Sequence, residues 1–292
     1  MGRIFSYQEV AAGQVPNSED FELARDTFIE AASECIDIDG SFVYGSVAIG
    51  AANRRSDFDS FVALAEDCPR SYSAAKFIVQ CVREETGYNI PILPVVHPRS
   101  ALEIGHHDLD RFFGQHLSSS YRVVEGNDPA EYISFPDQPA RDVLADYLFQ
   151  KKRRLTNTYT STDPLDVEEG GLQRMLELPP AVGRKTLQAL AETGIIDEAV
   201  ERSADKAAVL TASRSLFEQH GLAQGFDVLV STNKDYDDLL DETLAGDVDK
   251  DTYEDMLRNL HSRLPDAIIW IEQIAKILVP KLPVRLDQNR RT

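Results

Sequence analysis

The sequence predicts an α+β protein in two parts, a small mixed-sheet domain over residues 1–138 and an all-α domain over 139–292. Three observations carry that expectation. Before residue 138, short apolar runs suited to strands alternate with amphipathic helical stretches. Beyond it the apolar spacing lengthens into helices, with no further convincing strand. At 292 residues the chain is also longer than one ordinary core usually serves.

Residues 18–35 place Phe21, Leu23, Ala24, Phe28, Ile29 and Ala32 at helical spacing, opened by Ser18 with acids in the first turn, where they complement the helix dipole. Gly40 then resets the chain. Residues 41–44 form a short apolar run ending at Gly45, and residues 58–64 form a second; both suit buried strands. Between them lies a turn of small residues with room for one helical turn. Ala75, Phe77, Ile78, Cys81 and Val82 mark a helix over 71–85, stopped by Gly87. Residues 90–96 read as a third strand, at an edge or distorted because of Pro91 and Pro94. Helices are expected over 140–155, 172–178, 184–192, 204–220, 253–264 and 266–282. In the last, Ile268, Ile269, Ile271, Ile274, Ile277 and Leu278 recur at three and four residues, as on one broad core-facing side.

Composition bounds the function. With 42% hydrophobic and 27% charged residues, the chain can bury a core without metal or disulfide staples. Cys35, Cys68 and Cys81 lack any C-x-x-C pair and read as reduced core residues. The formal charge of −19 opposes binding of a bulky RNA or DNA, which needs a concentrated basic surface. A small phosphate ligand is not excluded, because it answers to the local field of its site. The N-terminal MGRIFSYQEV has no charged flank followed by an apolar segment, and Glu272 and Lys276 interrupt the most apolar stretch. A cytoplasmic protein that meets no membrane is expected.

The chemistry concentrates in YGSVAIGAANRRSDFDSFV at 44–62. Gly45 has no side chain, so its backbone can approach a phosphate, and the amide and hydroxyl of Ser46 can donate to phosphate oxygens. Asp57 and Asp59 are one residue apart. On a strand that spacing points both carboxylates to one face and sends Phe58 to the other. Two adjacent carboxylates repel, and the pair makes sense where a cation neutralises it. Magnesium prefers hard oxygen ligands and keeps positions open for substrate phosphates.

This stretch resembles the DNA polymerase β-like nucleotidyltransferase superfamily, whose pattern is an apolar strand, Gly-Ser, about ten residues, and Asp-x-Asp followed by apolar residues. The resemblance implies a nucleotidyltransferase domain in which Asp57 and Asp59 are catalytic and hold two Mg2+ ions. Gly45 and Ser46 would contact the nucleotide, and Ser56 would steady the turn before the acids. It implies transfer of a nucleoside monophosphate from an NTP to an acceptor hydroxyl, on a protein side chain or a small molecule, with pyrophosphate released. DVEEGGLQRM at 166–175, and residues 204–222 with Arg214 and His220, are similar to the companion helices of PII uridylyltransferases and glutamine-synthetase adenylyltransferases. The helical domain is therefore expected to form one wall of the active-site cleft.

One departure from the family pattern bears on activity. A third carboxylate is usual on a later strand, yet residues 89–97 contain no acid. His97, Glu103, Asp108 and Asp110 are the nearby candidates. The alternative is a catalytically weakened nucleotide-binding regulatory or antitoxin-like protein that kept Gly45, Ser46 and the aspartates. Other features have plainer readings. Arg214 and His220 match the spacing of the HEPN ribonuclease motif but read as a helix-surface pair; His106, His107 and Asp108 read as a surface loop. Lys151-Lys-Arg-Arg154 is the one basic cluster, a solvated face by default and an attractor of the triphosphate otherwise.

Overall fold

The structure, a computed structural model, describes residues 3–87, 90–92, 94–119, 121–167, 170–196 and 206–284. It is α+β, with one four-stranded mixed sheet in the first part of the chain and, among the described residues, helices without strands thereafter. The chain forms two compact units. One spans Gln14–Asp137, and the other takes Gln138–Thr292 together with Gly2–Gly13.

The elements run α1 (Tyr7–Ala11), α2 (Ser18–Ser33), β1 (Ile38–Val43), α3 (Gly45–Ala48), β2 (Ser60–Leu64), α4 (Pro69–Glu85), β3 (Val95–Pro98), α5 (Arg99–Glu103), α6 (Arg111–Ser119) and β4 (Val123–Gly126). Asn17, not Ser18, caps α2. Its side chain accepts from the amides of Glu19 and Asp20, and the Asp20 carboxylate accepts from the Asn17 amide, so three otherwise orphaned donors are satisfied, those of Asn17 and Asp20 reciprocally.

The strand order is β3-β2-β1-β4; β1 is antiparallel to β2 and β4, and β2 runs parallel to β3. Side chains alternate across this sheet. Val43, Phe58, Val62 and Leu64 pack with Phe21 and Phe28 of α2 and Ile78 and Val82 of α4. Phe42, Tyr44, Phe61 and Ala63 face the other way, with Leu102 and Leu117. Both faces of β2 are therefore covered, which explains the apolar run from Phe61 to Leu64 and the complete burial of the strand. Burying each large side chain contributes roughly 1.5–3 kcal/mol.

The third strand differs from its expected span of 90–96. It runs Val95–Pro98, preceded by a single bridge between Phe58 and Ile92. Pro91 and Pro94 have no N–H to give, and the ladder resumes past the second. Leu93 lies outside the described residues. β4, which no apolar run in the sequence marks, is a four-residue strand with alternate exposure.

The helical unit contains α7 (Ala140–Ser161), α8 (Gly171–Leu176), α9 (Leu178–Glu192), α10 (Lys206–Gln219), α11 (Ala223–Leu244), α12 (Lys250–His261) and α13 (Leu264–Ile277). Of the expected spans, Glu168, Glu169, Ala204 and Asp205 lie outside the described residues. Trp270 of α13 packs edge-on to Phe217 at 5.3 Å between ring centroids and lies 6.0 Å from Phe226, and its Nε1 donates to the Leu222 carbonyl at 3.1 Å. A side chain of this size with a polar atom needs that acceptor when buried. The N-terminal segment belongs here too: the Phe5 amide donates to Tyr236 Oη and Tyr253 Oη donates to the Phe5 carbonyl, each at 2.8 Å and buried. Among the described residues no helix is long and apolar enough to cross a membrane.

Candidate functional site

The site is assembled by the turn after β1 and the extended segment entering β2. Tyr44 is extended, and its amide donates to the Asp59 carbonyl at 3.0 Å, which ties the two segments together one step beyond the last strand pair, Val43 with Ser60. Gly45 then takes φ +72°, a left-handed conformation that side chains disfavour, and opens the single turn of α3 with Ser46.

The aspartates obey the period of two. Phe58 is buried among the α2 and α4 side chains, with its ring 5.6 Å from that of Phe28, while Asp57 is exposed and Asp59 half-buried. Continuing the alternation, Phe61 and Ala63 point to the face of the sheet that carries Phe42 and Tyr44. Asp57 and Asp59 therefore lie on the Tyr44 face.

Contact between the acids and the glycine-serine turn is direct. A methyl group placed on Gly45 would stand 2.4 Å from Asp59 Oδ2 and 3.3 Å from its Cγ. The Asp59 carboxylate thus occupies the space that the absent glycine side chain leaves, with no apolar layer between them. Tyr44 completes the group. Its ring packs edge-on to Phe42 and Phe113, at 5.7 and 5.8 Å between centroids. Burial first, then the negative charges of Asp59 and Asp57, hold its hydroxyl well above the ordinary phenol range. It stays protonated beside both acids.

Comparison with known proteins adds no assignment: no family model matches the chain, and no curated protein does.

Ser56 is buried, and its hydroxyl accepts from the Asn53 amide at 2.9 Å while its own amide donates to the Asn53 carbonyl at 2.8 Å. Asn53 Oδ1 accepts from the Arg55 amide at 3.0 Å. These bonds close the loop that delivers Asp57, and they make Ser56 a support for that loop.

The nearby candidates for a third acid or a base are engaged elsewhere. Glu103 accepts from Arg99 at 2.8 Å, and Asp110 caps α6 by accepting from the Phe113 amide. Asp108 sits 3.2 Å from His97 Nε2. His97 shares the Tyr44 face but pairs with Ala63, four residues beyond Asp59, or about 13 Å along the strand. That is too far to share a cation with the aspartates. Burial is the main cause that lowers His97 below the ordinary histidine range, and Asp108 opposes it. Among the described residues no three or more His, Cys, Asp and Glu side chains are grouped to hold a metal.

The remaining motifs have structural explanations. His107 Nδ1 accepts from the Leu109 amide, so its Nε2–H donates to the Ser134 carbonyl at 3.0 Å, which fixes one tautomer and the surrounding loop. Arg214 makes a two-pronged pair with Asp227, and His220 contacts Lys281; the two do not converge on one another. In the 166–175 motif a methyl group on Gly171 would meet Leu264 at 2.7 Å and His261 at 3.3 Å, so that glycine lets α8 pack closely against α12 and α13.

Tyr44 was not singled out from the sequence. The available signal was its parity: Phe42 and Tyr44 alternate in step with each other and, across the antiparallel pair, with Phe61.

Proposed function

We propose that this chain is a magnesium-dependent nucleotidyltransferase whose centre is Gly45, Ser46, Asp57 and Asp59. One observation carries the reading: the Asp59 carboxylate rests against the bare Cα of Gly45, on a sheet face it shares with Asp57. The donor set suits magnesium, being two hard carboxylate oxygens beside a turn that accepts no side chain. Magnesium held by Asp57 and Asp59 would supply charge neutralisation for the phosphates and for the acceptor oxygen.

The residues of the chain supply position. The Gly45 backbone admits a phosphate oxygen to the start of α3, and Ser46 donates to it from its amide and hydroxyl. The Asn53–Ser56 loop fixes where Asp57 emerges, and the β2 ladder fixes Asp59. Tyr44, held protonated, keeps a neutral hydroxyl beside the acids rather than a competing charge. Catalysis on this account is orientation plus charge stabilisation around in-line attack by an acceptor hydroxyl on the α-phosphorus, with pyrophosphate leaving. The acceptor is a protein side chain or a small molecule, the latter favoured if cationic by the net charge of −19. The working compartment is the cytoplasm.

The test is incubation with each labelled NTP, magnesium and candidate acceptors, following pyrophosphate release. Turnover that disappears with EDTA and in Asp59→Asn is expected. Absence of magnesium-dependent turnover with every nucleotide would refute transfer. The second reading, a nucleotide-binding regulatory protein, is favoured by one observation: no third carboxylate joins the pair among the described residues. It predicts calorimetric binding of Mg·NTP, lost in Asp59→Asn, without product.

A further inference from the structure

The loop from α5 to α6 is fastened largely by side chains. Gly105 turns it at φ +71°, and the His106 amide donates back to the Ala101 carbonyl. Beyond that turn, His107 Nδ1 accepts from the Leu109 amide at 3.2 Å while its Nε2–H donates to the Ser134 carbonyl at 3.0 Å. Asp110 accepts from the Phe113 amide at 3.1 Å and so caps α6. The His107 ring also packs edge-on to Phe135, 5.6 Å between centroids, and a methyl group on Gly114 of α6 would run into that same Phe135 ring. One imidazole therefore joins the loop to the segment around Ser134 and, through Phe135, to α6.

This joint is chemically conditional. A backbone N–H can only donate, so Nδ1 serves Leu109 only while it keeps its lone pair. A proton there sets donor against donor. Leu109 is half-buried against the cluster of Phe42, Tyr44 and Phe61, so its amide loses its partner where water replaces it poorly. A second imidazole adds to the effect. His97 of β3 lies 5.9 Å from His107 between ring centroids, with Nε2 3.2 Å from Asp108 Oδ1. Burial chiefly holds His97 below the ordinary histidine range; Asp108 opposes that, and His107 adds to it. Two protonated rings at that spacing repel, and Asp108, whose carboxylate is exposed, offsets this weakly. Of the other charged groups on the elements packed here, Arg99 and Glu103 of α5 pair with one another, Arg111 of α6 lies 3.9 Å from Asp137, and Asp110 serves the α6 cap. His106 and Glu131 are exposed.

We propose that the 106–110 loop is a pH-operated latch: protonation of His107 opens the loop and loosens the first turn of α6. The latch reaches the candidate site through Phe113. Asp110 holds the amide of that residue, and its ring packs edge-on to Tyr44, whose own amide is bonded to the Asp59 carbonyl. Opening of the loop is independent of the transferase reading; its effect on nucleotide binding rests on that reading.

The experiment follows the full chain from pH 8 to pH 5, the range in which imidazoles change charge. NMR of the His107 ring nitrogens reports tautomer and proton uptake, and amide hydrogen exchange, expressed as protection factors, reports the loop. The neutral Nε2–H tautomer is expected at pH 8. Protection of the Leu109 and Phe113 amides should fall at least about tenfold in step with proton uptake by His107, the effect of leaving a buried donor without its acceptor, while β1 and β2 stay protected. His107→Asn keeps an acceptor oxygen for the amide two residues on and takes up no proton, so its loop should stay protected to pH 5, with circular dichroism establishing its fold. Calorimetry with Mg·ATP should show affinity falling more in the parent than in His107→Asn over the same range. Unchanged protection in the parent as His107 takes up its proton, or an equal fall in the folded variant, would overturn the latch, and an equal loss of affinity in both proteins would overturn its link to the site. A loop that responds in a chain that binds no nucleotide at any pH upholds the latch and refutes the transferase reading instead.

Discussion

Replacing Gly45 by alanine tests how tightly the turn and the acids are coupled. The new methyl would stand 2.4 Å from Asp59 Oδ2, about 1 Å closer than an unstrained contact. The residue would also be held at φ +72°, which costs roughly 1–2 kcal/mol for a side chain with a Cβ. The two effects separate because Gly50, five residues on, has φ +68° with nothing within 4 Å of the corresponding methyl position. Gly50→Ala therefore carries the conformational cost alone. Both variants should lose about the same 1–2 kcal/mol of stability, with Gly45→Ala losing somewhat more. Their function should diverge sharply. Metal sites tolerate distance errors of about 0.2 Å, and a 1 Å misplacement of reacting groups costs on the order of 100-fold. Gly45→Ala should lose about 100-fold in magnesium-dependent nucleotide turnover, or in Mg·NTP affinity if the chain only binds. Gly50→Ala should stay near the parent. Calorimetry with Mg·NTP and thermal unfolding of both variants measure this; a Gly45→Ala protein with parental affinity would show that Asp59 holds no metal at that turn.

Ser56→Ala removes the acceptor of the Asn53 amide and should cost about 1 kcal/mol, with turnover reduced rather than abolished, as urea unfolding and kinetics would register. Tyr236→Phe strands the buried Phe5 amide, a loss of about 1–3 kcal/mol, and should raise hydrogen exchange and proteolysis of the N-terminal segment while leaving Mg·NTP affinity unchanged. His261 is buried, and burial holds it below the ordinary histidine value of 6.5, with Asp163 opposing. Its folded form therefore binds the proton less readily than its unfolded form. The stability linked to it is complete above pH 6.5 and declines as pH falls toward the lowered value. His261→Gln should flatten that acid-side decline in denaturant midpoints measured from pH 7 to pH 5, and an unchanged slope would locate it elsewhere.

The legible parts of this fold are those where local pattern and final environment agree. The run of 58–64 announced a strand buried on both faces, and the parity of Asp57, Phe58 and Asp59 announced which side chains share a side. Helix α11 escaped notice because its buried stripe passes through Thr232, which satisfies its hydroxyl on the Val228 carbonyl and so occupies a core position that polarity disguises. The start of β3 was blurred by Pro91 and Pro94, whose missing donors postpone pairing without removing the apolar signal. Strand β4 is short and half exposed, and its pairing with β1 is decided some eighty residues away. The anchoring of Phe5 by Tyr236 and Tyr253 is more distant still, and no local spacing encodes it. At the site, the glycine-serine turn and the acid pair were readable as types and spacings. Their contact through the empty Cβ position of Gly45, and the burial of Tyr44 beside them, depend on how β1 and β2 pair.

The central claim is that Asp57 and Asp59 share one divalent cation opposite Gly45 and Ser46. The most direct measurement is a crystal grown with manganese and a non-hydrolysable NTP, with data collected at the manganese absorption edge. The account predicts an anomalous peak about 2.0–2.3 Å from carboxylate oxygens of both aspartates, with the phosphate chain along the start of α3. A bound nucleotide with its manganese away from both carboxylates, or a phosphate chain that avoids the Gly45 turn, would contradict it.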